Sequence, residues 1–130
     1  MSPPSIKCEN YVFTPVTKQA SEFIEALSVQ ESAKFAAACT IVARSFDLGR
    51  PAGGRWQTIR NSKVGLCELK ITSPGSRGPQ LRMLFVRQGT EVLLVRGFVK
   101  KQRSIPLGEI DVAEKSFEHI NKRGKESKTE

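Results

Sequence analysis

The hydrophobic pattern of this chain changes period once, at the breaker-rich segment "RPAGGRW", residues 50–56. Upstream, apolar residues recur at helical spacing. Downstream, four runs alternate with a period of two: "WQTIRN", "LCELKIT", "QLRMLFVR" and "EVLLVRGFVK". A single switch of this kind predicts helices and strands folded as separate blocks, an α+β layer fold. The connectors "SKVG", "SPGSRGP" and "QGT" are too short for crossover helices, so the strands are expected to form an antiparallel meander.

Within the first block, "CENYVF" reads as a short strand. Thr14 before Pro15 predicts the N-cap of a helix running to about Leu27, with Phe23, Ile24 and Leu27 buried. Ser28 with Glu31 three residues later predicts a capping box. The second helix it opens buries Phe35, Ala38, Ile41, Val42 and Ser45 and stops at Gly49. After the strands, Pro106 starts a closing helix. Its Leu107, Ile110, Ala113, Phe117 and Ile120 share a face, while Glu109, Asp111, Glu114 and Lys115 meet water. "NKRGKESKTE" has no apolar period and reads as a frayed tail. The expected fold is therefore a short N-terminal strand and a helical hairpin packed on a three- to four-stranded antiparallel sheet, with a C-terminal helix. One domain over residues 9–122 lies between tails 1–8 and 123–130.

Composition narrows the function classes. Apolar residues make up 38% and charged residues 26% of 130, the balance of a globular domain. No apolar run approaches the roughly 18 residues of a membrane span. "MSPPSIKCEN" lacks the apolar core of a secretion signal, so a cytoplasmic protein is expected. Cys8, Cys39 and Cys67 are odd in number and show no CxxC spacing, which favours buried thiols over disulfides or zinc. No metal-ligand spacing or cofactor motif is present.

The net charge of +8 is unevenly placed. Residues 1–43 hold 3 Lys/Arg against 4 Asp/Glu, and residues 104–130 hold 5 against 6. Residues 44–103 hold 13 against 3. All the excess lies on the strand block, the expected footprint of a polyanionic partner, nucleic acid before membrane. "RGFVKKQRSIP" concentrates it, with Arg96, Lys100, Lys101 and Arg103 ending an otherwise apolar strand.

Alternation assigns the faces. Cys67, Leu69 and Ile71 point one way and Glu68, Lys70 and Thr72 the other, while Arg96, Phe98 and Lys100 share a face. If Arg87 pairs with Glu91, Arg82 pairs with Arg96 and joins that face. The expectation is an open basic surface in which Arg82, Arg96, Lys100 and Lys70 surround Phe98, free to stack on a base. The alternative is that the cations are neutralised by helix acids such as Glu109 or Glu114.

"LCELKIT", "LRMLFVR" and "LLVRGFVKKQRSIPLGEIDVA" together resemble the RelE/ParE toxin superfamily, and within it the HigB-like, phage-derived branch. The resemblance covers roughly residues 9–122 and rests on motif order, with "GFVKK" before a proline its most specific part. It implies a RelE-like fold and the toxin of a toxin–antitoxin pair, one that cleaves messenger RNA on the ribosome. The implied partners are a cognate antitoxin, HigA-like with a helix-turn-helix domain, and mRNA with the ribosome. Arg82 matches the family's phosphate-binding arginine, Lys70 a basic residue of the preceding strand, Lys100 or Lys101 the cationic end of the last strand, and Glu68 the acidic position. Leu81 stands where an aromatic is common and Arg96 where a histidine is common. The same superfamily includes gyrase poisons of the ParE kind, and a binding module without chemistry is a third reading.

Cleavage by the RNA's own 2′-OH requires a proton acceptor, stabilisation of a charged phosphorane and a proton donor. His119 is the sole histidine, which excludes a two-histidine mechanism. The expected metal-independent machinery is Arg82 gripping the phosphate, Lys100 and Lys101 stabilising the transition state or donating the proton, and Lys70 or Glu68 accepting it. Arg96, Phe98, Arg103, Arg60 and Lys63 are expected to contact RNA.

Overall fold

A computed structural model describes residues 5–49, 55–72, 78–101 and 105–128. In chain order the elements are β1 (Ile6–Cys8), β2 (Tyr11–Pro15), α1 (Lys18–Glu25), α2 (Val29–Leu48), β3 (Trp56–Thr58), β4 (Cys67–Lys70), β5 (Gln80–Gln88), β6 (Glu91–Lys100) and α3 (Leu107–Lys128). The α+β architecture is the one expected. The sheet is larger than expected, six strands in the order β1-β2-β6-β5-β4-β3. The segment read as one strand is a hairpin, and β2 lies parallel against β6, with Phe13 opposite Val92 and Pro15 opposite Leu94. Alternation identifies β2 as a strand but carries no information about this long-range parallel pairing. It covers the outer edge of β6, whose Val92 and Leu94 are fully buried. β1 falls within the expected N-terminal tail, and α3 continues to Lys128, inside the expected C-terminal one.

Helix boundaries follow local chemistry. Pro15 ends β2 rather than starting α1, a place where its missing N–H costs little. The N-cap of α1 is Thr17, whose Oγ1 accepts from the Ala20 amide at 3.0 Å and donates to the Val95 carbonyl at 2.6 Å. Ser28 and Glu31 form the expected capping box, and Gly49 closes α2 with φ 72°, a left-handed cap that favours glycine. In α2, Phe35, Ala38, Val42 and Ser45 are buried as expected, whereas Ile41 is exposed.

Helices cover both sheet faces. The first face carries Cys67, Leu69, Ile71, Met83 and Phe85, packed with Phe35, Val42 and Phe46 of α2 and with Phe23, Ile24 and Leu27 from the α1 region. Gly97 is required here, because a Cβ would fall inside the Phe23 ring. On the second face, Leu66, Leu84, Val86, Val95 and Phe98 meet Ile110, Ala113 and Phe117 of α3. The three cysteines are free and buried.

Candidate nucleic-acid interface

The second sheet face is divided along its strands. One end is apolar and lies under α3; the other carries Glu68, Lys70, Arg82 and Lys100 from three adjacent strands. Cross-strand pairing fixes this grouping: Lys70 faces Arg82, Arg82 faces Phe98, Glu68 faces Leu84, Leu84 faces Arg96 and Gln80 faces Lys100. Arg82 thus pairs with Phe98, not with Arg96 as expected. Two features produce the shift. The hairpin turns so that Gln88 faces Glu91, and a bulge at Leu84/Phe85 leaves Val95 outside the ladder. Each moves the register by one residue, so the net shift of two leaves Arg82 on the expected face. Thr17 and Gln19 stabilise that geometry, since Gln19 Nε2 donates to the Gly97 carbonyl at 2.7 Å and its Oε1 accepts the Gly97 amide at 2.8 Å.

The expected open face is not what these residues form. Glu68 is 0% exposed, Arg82 4% and Phe98 6%. Glu68 Oε2 lies 3.4 Å from Arg82 Nε and 3.8 Å from Lys100 Nζ, while Gln57 Nε2 of edge strand β3 donates to its Oε1 at 2.9 Å. The guanidinium of Arg82 is committed elsewhere as well. Its Nη1 donates to the carbonyls of Thr72 (3.3 Å) and Leu81 (2.9 Å), and its Nη2 to Gln80 Oε1 (3.2 Å). These contacts use three of the five N–H groups of an arginine, and with the residue only 4% exposed the others do not reach a phosphate without rearrangement. Burial lowers the pKa of Arg82, Glu68 raises it, and Arg55 lowers it again.

The remaining expected contacts divide into paired and exposed groups. Arg96 Nε donates to Glu109 of α3, and Phe98 lies in the cluster under that helix, so neither presents the surface expected of it. Neutralisation by helix acids therefore applies to Arg96. Glu114, expected to meet water, accepts from Ser62 Oγ at 3.1 Å and from the Lys63 amide at 2.6 Å, binding the β3–β4 loop to α3. Arg60, Lys63 and Lys101 are exposed, and Lys70 is half-buried. Arg103 lies outside the described residues. His119 is exposed on α3.

Gln57, Thr72 and Gln80 were not anticipated by the sequence reading. Gln57 was in principle detectable, because a β3–β4 hairpin brings a side chain of "WQTIRN" opposite Glu68. Beside the site, a cleft of about 630 Å³ is lined by Phe98, Val99, Lys101, Pro106 and Glu109, where β6 ends and α3 begins. Among the described residues, no group of three or more His, Cys, Asp or Glu could hold a metal ion, and no helix is long and apolar enough to cross a membrane.

Fold and site define a small α+β protein whose strand cations converge at one end of the sheet around a buried carboxylate. The phage-derived Gp49-like family (DUF891) matches residues 22–118, and the chain belongs to it. That family is RelE- and toxin-like. A search of curated proteins gave no match.

Proposed function

We propose that this protein is the toxin of a type II toxin–antitoxin pair, of the HigB-like kind, and that it inhibits translation in the cytoplasm by cutting messenger RNA on the ribosome. The observation that carries this reading is the convergence of Arg82 and Lys100 on Glu68, with Lys70 opposite Arg82 on the neighbouring strand, in a chain of a toxin-like family. The burial of Arg82 and Glu68 changes the roles assigned to them. Glu68 and Arg82 position Lys100. Lys100 and the exposed Lys101 supply the positive charge that stabilises a phosphorane. Lys70, half-buried on β4 and acting as the unprotonated amine, takes the 2′-OH proton as that oxygen attacks phosphorus to close a 2′,3′-cyclic phosphate, while the P–O5′ bond breaks and the Lys101 ammonium gives the departing O5′ its proton. A small antitoxin, HigA-like with a helix-turn-helix domain, neutralises the basic end.

A second reading, RNA binding without cleavage, is favoured by the burial of Arg82 and Phe98 and by the pairing of Arg96. Mapping of RNA ends in a translating extract separates the two. Codon-phased cuts that fall about 100-fold or more in a folded Lys100→Ala variant support the nuclease. Tight binding with no cuts supports the second reading, and trapped gyrase–DNA breaks would overturn both.

A further inference from the structure

We infer that the cleft between the end of β6 and the start of α3 is a nucleobase subsite selective for bases that carry an exocyclic amino group. The inference rests on the RNA-binding reading. A space of about 630 Å³ lies within the range of small-molecule sites and admits one nucleotide. Its lining suits a flat apolar ring: Val99 is 42% exposed, Pro106 is half-buried, and Phe98 borders it as well. Lys101 is exposed at the same cleft, placed for the phosphate of the nucleotide whose base enters. The first turn of α3 opens there too, and helix-start amides add to the positive potential.

Glu109 decides which base fits. Among the described residues it is the one acidic side chain lining the cleft, half-buried, and Arg96 holds it through Oε2. That contact orients the carboxylate and leaves Oε1 as an acceptor. The amino groups of adenine, cytosine and guanine donate to such an oxygen. Uracil offers only carbonyl oxygens and a ring N–H along its pairing edge, and a carbonyl facing the carboxylate is repelled.

Binding of short single-stranded oligo(A), oligo(C) and oligo(U), made with 2′-O-methyl groups to block cleavage, tests this by fluorescence anisotropy. Oligo(A) and oligo(C) are expected to bind about 5- to 10-fold tighter than oligo(U). Glu109→Gln, whose amide can both donate and accept, should bring the three within about 2-fold. Val99→Trp, which fills the cleft without touching the ion pair, should do the same while circular dichroism shows the fold intact. Equal binding of all three by the wild type, or a preference unchanged in folded Val99→Trp, would overturn the subsite and leave RNA binding standing. Binding of none would overturn the RNA reading itself.

Discussion

At the residue scale the most consequential side chain is Arg82. Its guanidinium faces a fully buried carboxylate and ties two backbone carbonyls, so it stabilises the sheet end on which Lys70 and Lys100 stand. Removing one member of a buried ion pair leaves the other charge uncompensated, which typically costs about 3–5 kcal/mol. Arg82→Ala is therefore expected to lose that much in urea unfolding, and Arg82→Ala/Glu68→Ala to recover part of it. A single substitution costing under about 1 kcal/mol would show that the pair is not buried in solution. Alternation made the shared face of Lys70, Arg82 and Lys100 legible, because parity survives a register error of two. Burial was not legible: it depends on Glu68 lying across the strand pair from Arg82, and on Gln57, Thr72 and Gln80 arriving from other segments.

At the scale of elements, α1 sets the conformation of β6. Thr17 caps the helix and holds the Val95 carbonyl at the bulge, while Gln19 holds Gly97 two residues further on. Thr17→Val keeps the shape and removes both hydrogen bonds, so it should cost about 1–2 kcal/mol by thermal unfolding. Gly97→Ala should destabilise by about 1–3 kcal/mol, since the Phe23 ring must move, and the loss should be seen as weaker hydrogen-exchange protection in α1. The capping box at Ser28 and the stop at Gly49 were readable in the sequence because they are local chemistry. The parallel pairing of β2 with β6 was not, because it joins segments about eighty residues apart, and neither was the bulge, which no turn residue marks.

At the scale of the whole molecule, charge and protonation make two predictions. Among the described residues, the exposed or half-buried Arg60, Lys63, Lys70, Lys100 and Lys101 offer up to five phosphate contacts, so the log–log salt slope of single-strand binding should lie between about −2 and −3.5. A flat dependence would separate the charge excess from binding. Burial raises the Cys67 thiol to about 11 and Cys39 well above its usual value of 9.0. A pKa raised in the folded state contributes stability that is fully present below the unfolded value and lost as pH rises through the folded one. Unfolding free energy should accordingly fall between about pH 9 and 11, and less steeply in Cys67→Ala. A flat profile across that window would mean that these thiols meet water.

The claim on which the rest depends is that RNA meets this protein at the cationic end of the α3-covered face. Chemical-shift mapping of the isotope-labelled protein with a short 2′-O-methyl RNA tests it most directly. The account predicts the largest changes at Lys70, Gln80, Lys100 and Lys101 and in the first turn of α3 from Leu107. Changes confined to the outer face of α2, around Ile41 and Leu48, would contradict it.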